Sequence, residues 1–404
     1  SNIPVLDLAY YPSERGPYNY NTDLDANGDL PDPEGNWAGI ERRVTTTDFE
    51  ASNIETVQFW LMDPFSPSVS NSEGDPASNV DANNTTGGDL YINLGNLSED
   101  VLRDSRKSFE NGLPKSPSDQ AATTAQTNWG VVPTTQSVVN AFAITDQNTY
   151  RYQDVGMDGL SNTDADAFQP GLNEQTFFQG YLNALNPGAR SRWQGDPSAD
   201  DYKYFRGSSW DSPPQSILAR YKRFNGLEGN SITDEDSPED YPTQATTLPT
   251  TEDINQDQNL SESEAYFQYR VKLRPANMVV GQNFITDRVL GVSPSGKQVY
   301  WYQFKVPVRQ PEKAVNGIQD FRSIRFMRLF VKGWAQPVVL RFARLDFVRG
   351  EWRKYTQSLE APGEVIGGDP DQTTFDVAAV NIEENGNRVP INYVLPPGIN
   401  QETD

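Results

Sequence analysis

Four stretches decide the fold: Tyr266–Leu273 (YFQYRVKL), Val299–Val308 (VYWYQFKVPV), Ile324–Val331 (IRFMRLFV) and Val338–Phe347 (VVLRFARLDF). Each alternates side chains with a period of two and is rich in aromatic and β-branched residues, the pattern of a strand with two unlike faces. In the third stretch Ile324, Phe326, Arg328 and Phe330 take one face, and Arg325, Met327, Leu329 and Val331 the other. Gly333 to Pro337 reads as the turn of a hairpin joining the last two stretches. The pattern predicts an antiparallel sandwich with arginines on the less buried face.

Upstream, Glu55–Met62 (ETVQFWLM) and Asp89–Asn93 (DLYIN) read as further strands on either side of a Ser/Asn/Gly-rich loop, 66–88. Ser98 followed by Glu99 and Asp100 predicts a capped helix ending at Gly112. Further helices are predicted over Asn173–Leu185, stopped by Pro187, and from Pro214 to about Phe224. The chain has 404 residues, enough for two or three domains. From Gly229 to Glu264 stand ten acids and no Lys or Arg, whereas Lys297 to Lys354 holds thirteen basic residues against four acids. This divides the chain into a first β-sandwich lobe (1–228) with helical and loop insertions, an acidic linker (229–252), a second β-sandwich lobe (253–360) and a C-terminal extended segment (361–404). The fold class is mainly β: two antiparallel, jelly-roll-like lobes with a few helices.

Composition removes several kinds of chemistry. The net charge is −23, which argues against nucleic acid as a partner. The sequence has no cysteine and no histidine, which excludes disulfides, thiol chemistry, a His-based triad and a His-zinc site. No apolar run reaches transmembrane-helix length, and no signal peptide stands at Ser1.

Two stretches carry the ligand spacing of a calcium loop. In DLDANGDLPDPE, residues 23–34, Asp23, Asp25 and Asn27 hold positions one, three and five, Gly28 position six, Leu30 position eight and Glu34 position twelve, with Asp29 among the donors. In DINQDQNLSESE, residues 253–264, Asp253, Asn255, Asp257, Asn259, Leu260 and Glu264 take the corresponding places, with Gln258 where the pattern has glycine. Alternate residues around a tight turn point inward, and a distant Glu closes the oxygen shell with two atoms. Pro31 and Pro33 block an exiting helix after the first loop, so both read as isolated structural Ca²⁺ staples. The plain alternative is an acidic solvated turn. DVGMDGLSNTDAD, with Asp154, Asp158, Asp164 and Asp166, is a weaker cation candidate because its twelfth position is Ala165; the alternative is an Asx-rich turn set by Gly156 and Gly159. Trp193 and Trp210 near Asp196, Asp200 and Asp201, and Trp60 near Asp63, are candidate sugar-stacking shelves or simply core. The arginines Arg322, Arg325, Arg328, Arg341, Arg344, Arg349 and Arg353 are either a docking face for an acidic partner or a sheet face paired with the chain's own acids.

Longer strings point to a family. LDLAYYPSERGPYNYN (6–21), NWAGIERRVTTTDFE (36–50), ETVQFWLMDPF (55–65), LYINLGNLSEDVLRD (90–104), DVGMDGLS (154–161), YFQYRVKL (266–273), IRFMRLFVKGW (324–334) and NYVLPPGI (392–399) resemble the SprA/Sov family. The resemblance implies a section of a very large outer-membrane protein of gliding bacteria, needed for gliding motility and type IX protein secretion. It also implies partners: secreted cargo proteins, other translocon subunits and the outer-membrane barrel of the same polypeptide. The expected place is the outer membrane or cell surface, on the extracellular side. The expected role is non-enzymatic. The sequence itself lacks the regular succession of short membrane strands of a barrel. A glycan-binding sandwich module is the alternative function.

Overall fold

The computed structural model describes residues 4–65, 84–102, 104–116, 118, 124–134, 141–143, 145–165, 167–231, 248, 252–292, 296 and 298–350. The chain divides into a unit of Ser1–Val348 and a second of Arg349–Asp404; the architecture below is that of the first. The extended segment expected over 361–404 and most of the acidic stretch 229–252 lie outside the described residues.

The first unit opens with β1 (Val5–Tyr10), β2 (Trp37–Arg43), β3 (Ile54–Met62) and β4 (Gly88–Asn96). A small hairpin follows, β5 (Thr124–Thr127) and β6 (Gly130–Pro133). Then come α1 (Gln147–Gln153), α2 (Glu174–Phe177), α3 (Gln179–Ala184), α4 (Pro187–Trp193) and α5 (Ile217–Phe224). The remaining strands are β7 (Ala265–Leu273), β8 (Ile285–Val292), β9 (Gln298–Pro307), β10 (Lys313–Val315), β11 (Phe326–Lys332) and β12 (Val338–Arg349). The large strands form two five-stranded sheets, ordered β1-β12-β3-β9-β8 and β10-β7-β4-β11-β2.

The mainly β, antiparallel sandwich expected from the sequence is what forms. Its strands are shared across the 229–252 stretch: β1 to β4 intercalate with β7 to β12, so residues assigned to a first and a second lobe build the same two sheets. The physical reason is register. β4 pairs along its full length with β7 on one side, Leu90 opposite Val271 and Ile92 opposite Tyr269, and with β11 on the other, Ile92 opposite Leu329.

Core faces follow the period of two. Leu90, Ile92 and Leu94 of β4, Met327, Leu329 and Val331 of β11, Phe59 and Leu61 of β3, Phe304 and Val306 of β9, and Leu340 and Phe342 of β12 belong to one buried cluster. Phe59 and Phe304 stand opposite each other in register and stack at 5.0 Å, with Phe342 edge-on at 5.5 Å. On the outer face, half-buried Phe330 stacks on Tyr91 at 4.6 Å, and Trp37 meets it edge-on at 6.4 Å. The outward arginines meet the chain's own acids: Arg328 reaches Glu264 at 3.1 Å, Arg341 reaches Asp7 at 3.3 Å and Arg322 reaches Glu50 at 3.2 Å.

Three local expectations give way to packing. The turn Gly333–Pro337 is no hairpin, because β11 and β12 lie in different sheets. It is a crossing, plugged by fully buried Trp334, whose Nε1 donates to the Asp89 carbonyl at 3.3 Å. Ser98–Gly112 forms no helix among its described residues; Glu99 turns inward and accepts backbone N–H groups from the 254–261 loop. Pro187 does not only stop a helix. It starts α4 at its first turn, capped by Asn186, where the missing N–H costs nothing. The predicted 173–185 helix is present as α2 and α3, broken at Phe178, and α5 matches the third.

Between β4 and β7 the chain builds a second core from Val131, Val132, Met157, Leu160, Phe178, Tyr181, Leu182, Trp193 and Leu227, joined by Tyr20 from the segment between β1 and β2. This loop-rich body holds the acids discussed next.

Candidate metal centre

The first calcium-pattern loop keeps the bend its spacing requires. Gly28 has φ +80, the left-handed conformation that position six needs. Its oxygens, however, serve the turn: Asp25 Oδ1 accepts the N–H of Asn27 at 2.8 Å and of Asp29 at 3.0 Å. The Asp29 N–H leads the contacts that hold the exposed Asp25 carboxyl below its usual range. The loop lies against the start of α4: Asn186 Nδ2 donates to Asn27 Oδ1 at 2.8 Å, and Arg192 donates to the Asn27 carbonyl at 2.8 Å. Asp23 and Glu34 are exposed, and Asp29 sits 3.9 Å from Arg192.

The second loop bends the same way without glycine, with Gln256 at φ +60 and Gln258 at φ +63. Asp253 and Asn255 are buried. Asp253 accepts the N–H groups of Asp257 at 3.1 Å and Gln258 at 2.9 Å, and Asp257 accepts that of Asn259 at 2.9 Å. Glu264, the closing ligand of the pattern, instead forms a forked pair with Arg328 at 3.1 and 3.2 Å. Glu99, from outside the pattern, grips the loop through the N–H groups of Ile254, Asn255 and Ser261 at 2.9, 3.2 and 3.0 Å.

Oxygens converge elsewhere. Among the described residues, one set of three carboxylates offers ligand atoms all within 4.8 Å of one another: Asp158, Glu174 and Asp200, each fully buried. Asp158 comes from the turn flanked by Gly156 and Gly159, both at positive φ. Glu174 is the first residue of α2, set by the Asn173 cap. Asp200 ends the turn that begins at Asp196, whose Oδ1 accepts the Asp200 N–H at 3.0 Å. Ser198 bridges two of them, its Oγ donating to Glu174 at 2.6 Å or Asp200 at 2.7 Å, while its N–H reaches Glu174 at 3.0 Å. The Tyr20 hydroxyl donates to Asp200 at 3.2 Å. Asp158 Oδ1 accepts the Leu160 N–H at 3.0 Å, and its Oδ2 is buried without a hydrogen-bond partner.

Charge around the trio is lopsided. Asp196, Asp201 and Glu228 add to it, and Asn162 joins the last two at 2.7 and 3.1 Å. Among the described residues, Arg15 and Arg223 are cations that act on these acids. Arg15 spends its guanidinium on the Asn21 and Pro197 carbonyls and the Tyr181 hydroxyl, over the rings of Tyr181 and Trp193. Arg223 pairs with Asp196 at 2.5 Å. Burial, then the neighbouring acids, drive Asp158 and Glu174 well above the ordinary carboxylate range; burial holds Asp200 at about 7 and Glu228 at about 11.

Sequence spacing named Asp158 and Asp200 in two separate weak candidates and missed Glu174 and Glu228. The only local signal for Glu174 was an acid after an Asn cap, which reads as a helix-dipole partner. Asp164 binds Gly171 and Asn173 instead, and Asp166 lies outside the described residues. Trp193 is buried in the second core, so it offers no stacking shelf, and Trp210 is half-buried with its Nε1 donating to the Tyr204 carbonyl at 2.9 Å.

The fold and this site define a two-sheet sandwich protein with an inserted acidic body, its densest chemistry being a buried, oxygen-only set of carboxylates. The family's sequence pattern matches residues 176–404, more than half of the chain. The protein belongs to the SprA_N family of motility related/secretion proteins. None of the curated proteins compared with the chain matches it. Among the described residues no helix is long and apolar enough to cross a membrane.

Proposed function

We propose that this chain is a section of an outer-membrane protein translocon that serves type IX secretion and gliding motility. It works at the cell surface as a pore-associated framework that receives secreted cargo proteins and other translocon subunits, beside the outer-membrane barrel of the same polypeptide. The observation that carries this reading is membership of a motility and secretion family.

Its work is shape and surface, without catalysis. In support, the acids that crowd together are buried and tied to backbone and neighbours, and the chain has no histidine or cysteine. Surface for partners is offered at the sheet edges. β2 and β8 are edge strands, and Trp37 and Val292 are each 66% exposed, with Ile40, Val289 and Leu290 also exposed. Edge strands with unpaired backbone groups and apolar side chains pair readily with another chain.

The test is complementation of a strain lacking the parent protein, measuring secreted protein and gliding. Trp37→Asp and Val292→Asp, introduced together, are expected to lower secretion while the protein still reaches the outer membrane. A folded, normally assembled variant that loses secretion through one pocket carboxylate or hydroxyl would overturn the non-enzymatic reading.

A further inference from the structure

We propose that Asp158, Glu174 and Asp200 form a structural Ca²⁺ site that ties the inserted body together. Geometry comes first. Oxygen ligands of Ca²⁺ stand at roughly 2.3–2.6 Å from the ion, so opposite ligands lie at most about 5 Å apart. The three carboxylates place their ligand atoms within 4.8 Å of one another, a separation that fits around a single ion. The donors are all hard oxygens, and the chain has no imidazole or thiolate to favour a softer metal.

A second observation is independent of the clustering. Asp158 is fully buried, and its Oδ2 has no hydrogen-bond donor. A buried carboxylate oxygen without a donor is destabilising unless a cation or proton meets it. The side-chain partners of Glu174 and Asp200 are hydroxyls, from Ser198 and Tyr20, which neutralise nothing. Arg15 directs its donors to carbonyls and the Tyr181 hydroxyl. The backbone is shaped to bring the oxygens together. Gly156 has φ +73, and a Cβ there would fall 2.4 Å from Asp200 Oδ2; Gly130, at φ +136, would put a Cβ 2.0 Å from the Asp158 carbonyl.

The ion would join three segments far apart in sequence: the 154–161 turn, the start of α2 and the 196–201 turn, with Tyr20 at its rim. This site is distinct from the two loops whose spacing matches a calcium pattern, since Glu264 is engaged with Arg328 and Asp25 with its own turn.

The experiment uses the full 404-residue chain. After chelator treatment it is titrated with Ca²⁺ by calorimetry, its melting is followed with and without millimolar Ca²⁺, and Tb³⁺ luminescence is excited through the tyrosines. The expected results are saturable binding, melting raised by several degrees and terbium emission quenched by Ca²⁺. Asp158→Asn and Glu174→Gln should each lower Ca²⁺ affinity by at least about tenfold, while Glu34→Gln and Glu264→Gln leave it unchanged. Wild-type melting indifferent to Ca²⁺, with no calorimetric binding, would overturn the site whether or not the variants fold. Binding that survives Asp158→Asn and falls in the loop variants would place the ion in the loops and equally overturn it. Failure here would leave the secretion reading intact, because complementation tests that separately.

Discussion

Glu99 is fully buried, and its carboxylate is the anchor of the 254–261 loop, so its removal should loosen one identifiable segment. Oε1 accepts the N–H groups of Ile254 and Asn255, Oε2 that of Ser261, and the Glu99 N–H returns a bond to the Ser261 carbonyl at 2.8 Å. Hydrogen bonds to a charged group contribute about 1.5–3 kcal/mol each, and a buried donor left unmade costs about 1–3 kcal/mol. Three such bonds share one carboxylate and one loop, so their losses do not add fully. Part of the loop also relaxes into water, although Arg43 still holds the Asn255 carbonyl at 2.9 Å. Glu99→Ala should therefore destabilise by about 3–5 kcal/mol, and Glu99→Gln, which keeps one acceptor oxygen, by about half as much. Urea unfolding reads the midpoint, with an unchanged slope showing that two-state behaviour survives. Hydrogen exchange reads the place: protection should fall at the amides of Ile254, Asn255 and Ser261 before it falls in β4 or β7. An unaltered midpoint with those three amides still protected would refute the anchor. It would mean that the loop is held by its own Asx turns.

Three further outcomes follow from the same packing. Gly88→Ala places a Cβ 2.3 Å from Nε1 of fully buried Trp334, so the crossing from β11 to β12 must shift; a loss of about 1–3 kcal/mol is expected by chemical denaturation. Phe59→Ala empties the centre of the stack with Phe304 and Phe342 and should cost about 3–5 kcal/mol in the same assay. In chelator, Asp200, held by burial at about 7, and Asp158 and Glu174, raised by burial well above the ordinary carboxylate range, bind protons in the folded chain that the unfolded chain releases from about pH 4 upward. Stability should thus be greatest at the acid end and decline as pH rises through 7, with Asp196, Asp201, Glu228, Tyr20 and Arg15 facing the group, and Ca²⁺ should cancel the decline; thermal melts from pH 5 to 8 check both arms.

What the sequence revealed and what it hid divide along one physical line. Period-two alternation reports which face of a strand is buried, and it marked β3, β7, β9, β11 and β12 almost to their ends. It says nothing about which strand lies beside which. The turn at Gly333–Pro337 looks like a hairpin because short connections usually join neighbours, yet Trp334 and the Gly88 gap turn the same five residues into a bridge between sheets. β2 and β8 carry too little alternation to be seen because they are edges, with one flank paired and both faces largely wet. Acids behave likewise. Spacing finds donors that are close along the chain, as in 23–34 and 253–264, where Asp25, Asp253 and Asp257 are also close enough to bond their own turns. Asp158, Glu174 and Asp200 are separated by the turns and by α2, α3 and α4, and their oxygens come together only in the folded body whose core includes Phe178, Leu182 and Trp193. A local pattern and a converging set thus make opposite demands. The first satisfies its own backbone as it folds. The second leaves carboxyl groups and an open oxygen in the interior, which the donors of Arg15 do not meet, and it is there that the proposed cation has most to contribute to holding the inserted body in shape.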